Sequence, residues 1–163
     1  MAIIFSNNKT LGEVGGKLSV TGRIVQTVHT TSTATLQTTS TSAVDIFTSS
    51  TITLTNASNI ILIEFHSDNR LQDYGDGAWN LYYMDLVHVQ SSTQLTYSGY
   101  RGQYTYNIAY YDKSVTHAPG SVGPHSYKIR GWSYTSASTA SFNLGSQRAH
   151  DGLAYIRLSE IAV

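Results

Sequence analysis

Hydrophobic and polar residues alternate along much of this chain, and the alternation is most regular in the stretch STITLTN. There Ile52 and Leu54 point to one side, while Thr51, Thr53 and Thr55 point to the other. A period of two residues is typical of a strand with one buried face and one wet face. The segments GRIVQTV and AVDIF show the same pattern less regularly, and the Ser/Thr clusters between them are predicted to be turns.

The region from residue 27 to residue 55 is rich in hydroxyl side chains, with 17 serines and threonines in 29 positions. Such a composition could belong to a disordered linker. The region contains no proline, however, and most of its polar positions are threonine. Threonine is stiff at χ1 and suits a pleated sheet, whereas disordered tracts are poor in β-branched residues. We therefore predict that this region is folded.

The rest of the chain continues as short strand patterns. NIILIEFHS is apolar on both faces and is predicted to be a central strand, with Ile61, Ile63 and Phe65 on one side. Later strand patterns are separated by the predicted turns DYGDG, SGYRG and APGSVGP, and no segment has helical periodicity. About ten short strands joined by such turns indicate an all-β fold, an antiparallel β-sandwich of the jelly-roll type.

The first residues differ from this pattern and are predicted to form an extended N-terminal arm. We assign residues 1–21 to a docking arm and residues 22–163 to the β-sandwich domain. Glycines 12, 15 and 16 leave the arm without stable structure of its own, yet it has too many apolar residues for a solvated tail. We expect it to bind a partner by strand addition. The apolar residues are Ile3, Ile4, Phe5, Leu11, Val14 and Leu18.

Composition excludes several partners and sites. Charged residues make up only 12% of the 163 residues, with ten basic and ten acidic side chains and no basic patch. Nucleic acids and anionic membranes draw binding affinity from clustered Lys and Arg, so neither is a predicted partner. The longest apolar run, IILI, is far too short to cross a membrane. Without cysteine, neither disulfides nor thiolate metal sites can form.

Catalytic and metal signals are weak. Asp68, Asp73 and Asp76 in SDNRLQDYGDG could surround a calcium ion, but a turn is the preferred interpretation because Asp, Asn and Gly dominate turns. No Gly-x-Ser-x-Gly motif occurs, and the three glutamates offer no evident acid and base pair. We predict no enzyme activity, metal or cofactor. The histidines, none at metal-binding spacing, are His29, His66, His88, His117, His125 and His150.

Tyrosine is the most informative residue type. Nine of the 12 tyrosines lie between Tyr74 and Tyr111. Tyr82, Tyr83 and Trp79 fit a strand in the sandwich core. The remaining aromatic residues lie among glycines and resemble an interface, so we predict a surface for subunit packing or, second, for glycan binding. The candidate residues of this surface are Trp79, Tyr97, Tyr100, Arg101, Tyr104 and Tyr106.

Several motifs resemble a family of tailed-phage virion proteins, often described as tail-fibre or structural proteins and frequent in cyanophages and other marine phages. The family pattern G-[KR]-[IV]-[LV]-Q matches GRIVQ, and T-I-T-[LI]-T-x-x-S-x-x-I-L-[IV] matches TITLTNASNIILI. HSYKIRG and IRLSEIAV are similar to two later family strands. The resemblance covers residues 22–163. It implies a jelly roll like those of C1q and tumour necrosis factor, and a homotrimer assembled into virions in the host cytoplasm.

Three classes of function remain at this point. The first is a virion structural protein that contacts itself and other virion proteins. Within it we favour capsid decoration, because the sandwich begins about 20 residues after Met1 without a fibre shaft. A receptor-binding tail-fibre or knob protein that recognises host surface glycans is the alternative. The second class is a carbohydrate-binding lectin, and the third, a glycosidase, ranks last.

Overall fold

The structure is a computed structural model that describes residues 12–14, 17–19, 21–72, 80–102, 107–136, 139–142 and 154–163. These residues form strands, turns and irregular segments, and no helix occurs among them. The prediction of an all-β chain is therefore confirmed. The strands are β1 Gly12–Val14, β2 Lys17–Ser19, β3 Ile24–Ser32, β4 Leu36–Thr38, β5 Val44–Thr48, β6 Ile52–Thr53, β7 Ile60–Gln72, β8 Asn80–His88, β9 Thr93–Gly102, β10 Asn107–His117, β11 Pro124–His125, β12 Tyr127–Ser133, β13 Thr139–Phe142 and β14 Ala154–Ile161.

Eight of these strands are nested in antiparallel pairs. In chain order, the first of the eight pairs with the last (β3 with β14), the second with the seventh (β5 with β12), the third with the sixth (β7 with β10) and the fourth with the fifth (β8 with β9). β14 also pairs with β7, and β12 with β8, which joins the four pairs into two sheets. This nesting is the topology of a jelly roll, so the predicted architecture is confirmed by the strand pairing itself.

The larger sheet has six strands and is centred on β7. β14 and β10 flank β7, while β13 continues the β14 side of β7 and pairs in turn with β4. The smaller sheet has four strands in the order β5, β12, β8, β9. β6 and β11 form a separate two-stranded sheet. The two large sheets are called the six-stranded sheet and the four-stranded sheet below.

The core lies between the inner faces of these two sheets. The six-stranded sheet contributes Ile61, Ile63 and Phe65 from β7, all 0–1% exposed, as the sequence predicts for a central strand. The four-stranded sheet contributes Met84 and Ile129, both 0% exposed. Leu54 and Ile52 are buried while the threonines between and beside them are exposed, so the period-two pattern of STITLTN is also confirmed.

Gly131 marks a close approach within this core. A Cβ atom at this position would lie 2.6 Å from the Phe142 ring and 2.7 Å from the Ile46 Cδ1 atom. Carbon atoms in contact normally stay at least about 3.5 Å apart. A larger residue at position 131 would therefore push the ring of β13 away from β12, so glycine is needed for the packing of the two sheets.

Parts of three segments that were predicted as turns lie in strands instead. The cluster HTTS completes β3, and SGYRG lies in β9 because β8 pairs with it along its whole length. The first part of SDNRLQDYGDG belongs to β7, where Asp68 is paired with Tyr110 of β10. In each case, pairing with a neighbouring strand outweighed the local preference of these residue types for turns. This pairing is a tertiary effect that local sequence does not show.

The N-terminal arm is only partly described. β1 and β2 form a two-stranded antiparallel sheet, with Glu13 opposite Leu18. Residues 12–14 and 17–19 thus have regular structure, in contrast to the prediction of an arm without structure of its own. The reason is that a short strand pair satisfies backbone hydrogen bonds that an isolated extended segment would leave to water. In the described ranges, no helix is long and apolar enough to cross a membrane.

Candidate binding surface on the four-stranded sheet

Four aromatic side chains cluster on the outer face of the four-stranded sheet. Tyr83 on β8 is central, because its ring centroid lies 5.5 Å from those of Tyr97 and Trp132 and 6.3 Å from that of Tyr134. Tyr97 and Trp132 are 6.0 Å apart. Aromatic rings whose centroids are 4.5–7 Å apart attract each other in stacked or tilted arrangements. We call these four residues the aromatic face.

Strand register explains how these residues meet. Trp132 of β12 lies directly opposite Tyr83, and Gly99 of β9 lies opposite Tyr83 on the other side. Gly99 has no side chain, so the space beside Tyr83 is free for the ring of Tyr97, which stacks on Tyr83 at 25°. Tyr82, the preceding residue of β8, points into the core and is 3% exposed. Alternation along one strand thus divides two adjacent tyrosines between core and surface.

The aromatic face is open to solvent. Tyr97 is 53% exposed and Tyr134 is 61% exposed, while Tyr83 and Trp132 are half-buried. Partial desolvation raises the pKa of the Tyr97 phenol, and the neighbouring Tyr83 and Asp85 raise it further. Since tyrosine ordinarily titrates near pH 10, the Tyr97 phenol is uncharged at physiological pH. The face therefore offers a broad, neutral, amphipathic area.

A rigid polar row borders the aromatic face. Arg130 donates two hydrogen bonds to Asp85, from Nε to Oδ1 at 2.9 Å and from a terminal nitrogen to Oδ2 at 2.5 Å. Gln94 donates a third to Asp85 Oδ2 at 3.2 Å. The hydrogen bonds to Asp85 raise the pKa of the Arg130 guanidinium. Asp85 lies opposite both Arg130 and Tyr97 in register, so this charged pair is fixed next to the rings.

The structure places only part of the predicted surface. Tyr97 belongs to the aromatic face, and Tyr100 and Arg101 follow on the same strand, β9. Trp79, Tyr104 and Tyr106, like the side chains of Tyr100 and Arg101, lie outside the described residues. The sequence interpretation missed Tyr83, which it assigned to the core, and it overlooked Trp132 and Tyr134. The alternation in YYMDLVH was the available signal for Tyr83.

The structure describes the backbone of only one of the three candidate calcium residues. Asp68 lies in β7, and Asp73 and Asp76 are outside the described residues. Across the ranges that the structure describes, no group of three His, Cys, Asp or Glu side chains could hold a metal ion.

Two carboxylates of the six-stranded sheet have clear structural roles. Glu64 accepts two hydrogen bonds from Arg157, at 2.8 and 2.6 Å, and this partner lowers the pKa of Glu64. Glu160 is fully buried at the end of the core and accepts hydrogen bonds from Gln26, Thr55 and Asn59. Burial alone would raise the pKa of Glu160, but the hydrogen bonds together lower it.

The five described histidines divide into two groups, and His150 lies outside the described residues. On the outer face of the six-stranded sheet, the ring of Tyr155 lies between those of His29 and His66, and His66 is 2.6 Å from Asp112. His88, His117 and His125 lie together at one end of the sandwich, although no metal-ligand spacing connects them in the sequence. Residue spacing therefore does not predict that these three rings meet.

The docking-arm residues are placed in part. Val14 lies in β1 and Leu18 lies in β2. Ile3, Ile4, Phe5 and Leu11 are outside the described residues. The role of the arm therefore stays a prediction.

Comparison with known proteins gives a limited result. No protein-family model matches the chain, and no curated protein matches it. Among solved structures, a mutant VP2 protein of infectious bursal disease virus in derived T=1 particles has 10% identity, a TM-score of 0.43 and covers 93% of this chain. A VP2 subviral particle of the same virus has 9% identity, a TM-score of 0.40 and the same coverage. The chain spans 40% and 42% of the length of these two proteins. Its jelly-roll assignment rests on its own strand pairing.

Proposed function

We propose that this chain is a non-enzymatic structural module of a tailed-phage virion that assembles with copies of itself as a homotrimer. The observation that carries the proposal is the aromatic face. Tyr97 and Tyr134 are more than half exposed and Trp132 is half-buried on the outer face of the four-stranded sheet. Tyrosine and tryptophan are enriched in the centres of protein interfaces, and exposed aromatic clusters mark interaction sites.

The rest of the sandwich supports a structural role. Its two carboxylate–arginine pairs and the buried Glu160 have hydrogen-bond partners that hold strands or loops in place. A trimer and a place in the virion follow from the resemblance of residues 22–163 to the tailed-phage family, and the jelly-roll topology agrees with that resemblance.

Within the virion, we propose that the chain decorates the capsid. The N-terminal arm, residues 1–21, would contact the underlying shell through Ile3, Ile4, Phe5, Leu11, Val14 and Leu18. Short strands such as β1 and β2 can pair with a free sheet edge of a partner, where the backbone gives affinity and alternate side chains give specificity. The arm and the aromatic face would then have separate tasks, attachment and trimer formation.

Native mass spectrometry at micromolar concentration tests the role of the aromatic face. We expect the unchanged chain to be a trimer and the double variant Tyr97→Ser/Tyr134→Ser to shift to monomer, because it removes the two most exposed rings. Tyr155→Ser, on the outer face of the other sheet, is the matched control and should remain trimeric. Circular dichroism verifies that each variant is folded. A monomeric unchanged chain, or a folded double variant that stays trimeric, would contradict the proposal.

A receptor-binding tail-fibre or knob protein is the second candidate. The observation that favours it is the fixed polar row of Arg130, Asp85 and Gln94 beside the rings, because sugar sites combine an aromatic platform with oriented hydrogen-bonding groups. Glycan-array binding by the unchanged chain that disappears in Trp132→Ala would support this candidate. Absence of binding to any host surface glycan would leave subunit contact as the role of the face.

A further inference from the structure

Three histidines that are distant in the sequence meet at one end of the sandwich. His88 ends β8, His117 ends β10 and His125 lies in β11. The ring centroid of His88 is 4.7 Å from that of His117 and 5.3 Å from that of His125. His88 and His125 are 4% and 3% exposed, and the fully buried Tyr127 ring lies 5.2 Å from His88.

The hydrogen bonds of His88 and His125 allow only one placement of protons on these two neutral rings. His125 Nε2 lies 3.0 Å from the carbonyl oxygen of Ser121, which can only accept, so Nε2 carries the proton and Nδ1 is bare. His88 Nε2 lies 3.1 Å from that bare Nδ1 and must donate to it. His88 Nδ1 is then the acceptor for the Ser91 hydroxyl at 2.7 Å. The proton positions form a directional chain, from Ser91 through His88 and His125 to Ser121.

This chain joins two connections between strands. Ser91 belongs to the turn between β8 and β9, residues 89–92, and Ser121 belongs to the segment 118–126 that crosses from the six-stranded to the four-stranded sheet. Gln90 strengthens the same contact, because its side chain bonds Ser126 through both its amide nitrogen and its amide oxygen, at 3.1 and 3.0 Å. The backbone nitrogen of Val89 also donates to the Ser126 carbonyl at 3.0 Å.

The groups that face the three rings provide no negative charge. They are the phenol of Tyr127 on β12, 2.9 Å from His117 Nδ1, the Ser91 hydroxyl of the turn and the Ser121 carbonyl of the crossing segment. No carboxylate is among these partners in the part of the chain that the structure describes. Burial, followed by the proximity of His117 and His125, lowers the pKa of His88 to about 4, and burial also lowers the pKa of His117. A proton that enters the cluster therefore brings an uncompensated charge.

We propose that this histidine cluster is an acid-sensitive latch that holds the crossing segment 118–126 against the turn 89–92 at neutral pH and releases it on acidification. Protonation of His125 at Nδ1 would place its new N–H against the N–H of His88 Nε2, two donors 3.1 Å apart with no acceptor between them. That hydrogen bond must then break. Gly120, at φ +71°, lies in the segment that would move.

Two other roles fit the geometry less well. A metal ion would need ring nitrogens that are already used in the directional chain, and no metal-binding group was found in the described ranges.

A catalytic role is the other alternative, because the order of Ser91, His88 and His125 is that of a nucleophile, a base and an orienting group. A base with a pKa of about 4 is weak at neutral pH, and His125 is a neutral imidazole in place of an orienting carboxylate. Both considerations favour the latch.

Hydrogen exchange on the full chain at pH 7 and pH 5, corrected for the intrinsic pH dependence of exchange, tests the latch. From the linkage between protonation and opening, we expect protection in residues 118–126 and 89–92 to fall on the order of tenfold or more at pH 5. Protection in β14, which forms none of the hydrogen bonds of the cluster, serves as the internal reference and should not change. An equal change in β14 and in the crossing segment would overturn the proposal.

Variants separate the latch from general acid sensitivity. His125→Gln keeps an acceptor and a donor but has no ring nitrogen that can be protonated, so it should stay protected at pH 7 and lose most of the pH effect. His29→Gln, on the outer face of the six-stranded sheet, is the matched control and should keep the full effect. An unchanged pH effect in folded His125→Gln refutes the latch. If that variant does not fold, an NMR titration of the unchanged chain decides: His88 should titrate below pH 5, and titration near pH 6.5 refutes the proposal.

Discussion

The two outer faces of the sandwich are built from the same alternating strands but differ in chemistry. On the six-stranded sheet, outward side chains pair across strands through polar groups: Arg157 with Glu64, His66 with Asp112, and Thr27 with Ser159. On the four-stranded sheet, the polar pair of Arg130 and Asp85 lies beside the aromatic face. The described pairs of the first face satisfy each other, whereas the second face leaves aromatic area in contact with water.

The difference shows that strand alternation and surface chemistry are separate properties. Alternation determines which residues point outward, but the residue types at those positions determine whether the face needs a partner. A face of cross-strand polar pairs exposes no large apolar patch, and each pair contributes only a little energy. Such a face does not need to be covered by a partner. An aromatic face gains by being covered. We therefore expect the two faces to respond differently to substitution.

The largest expected difference concerns the two arginine–carboxylate pairs, which have the same bidentate geometry but different burial. The Asp85 side chain is 1% exposed, while that of Glu64 is 29% exposed. Asp85→Ala should lower the free energy of unfolding by about 3 kcal/mol, because it leaves Arg130 partly buried without its acceptor. Glu64→Ala should change stability little, since water can replace the exposed partner. Urea unfolding measures both, and equal losses would show that burial does not distinguish the two faces.

The strands that both sheets share could be predicted from the sequence better than the difference between their outer faces. Alternation identified Ile52, Leu54 and the central strand β7, and it gave the correct fold class. It could not bring Trp132 next to Tyr83, because that contact depends on the register between β12 and β8. The glycines of SGYRG suggested a turn. In the structure, Gly99 lies inside β9, where its lack of a side chain leaves space beside Tyr83. The meeting of His88 and His125 likewise depends on the crossing segment and has no signature in residue spacing.

A smaller loss of stability is expected from substitution of Glu160, whose carboxylate points inward from the six-stranded sheet. Glu160 accepts hydrogen bonds of 2.6–2.7 Å from Gln26 Nε2, from Asn59 Nδ2 and from both the backbone nitrogen and hydroxyl of Thr55. Glu160→Gln would turn an amide N–H₂ toward some of these donors. We expect a loss of about 2 kcal/mol in the free energy of unfolding, the cost of unsatisfied buried polar groups. Glu64→Gln on the outer face is the control and should be nearly neutral.

The same carboxylate predicts a pH dependence. The pKa of Glu160 in the folded chain is below its ordinary value of 4.5. The stabilisation that ionised Glu160 gives to the folded state is therefore fully present above pH 4.5 and is lost as the pH falls through the folded pKa. Stability of the unchanged chain should therefore decrease in this range, and Glu160→Gln should decrease less over the same range. Parallel curves for the two proteins would show that Glu160 does not contribute to acid unfolding.

The smallest effect, and the finest test of the comparison, is the salt dependence of the two charged pairs. Raising the salt concentration from 0.1 to 1 M shortens the screening length from about 10 Å to about 3 Å, and exposed charges are screened far more than buried ones. A double-mutant cycle isolates the coupling within each pair. The coupling between Arg157 and Glu64 should fall toward zero in high salt, because half of the Arg157 side chain is exposed. The coupling between Arg130 and Asp85 should persist, because the carboxylate is shielded from ions by the protein around it. If both couplings fall by the same factor, Asp85 is open to solvent in solution, and the rigid polar row beside the aromatic face does not exist as described.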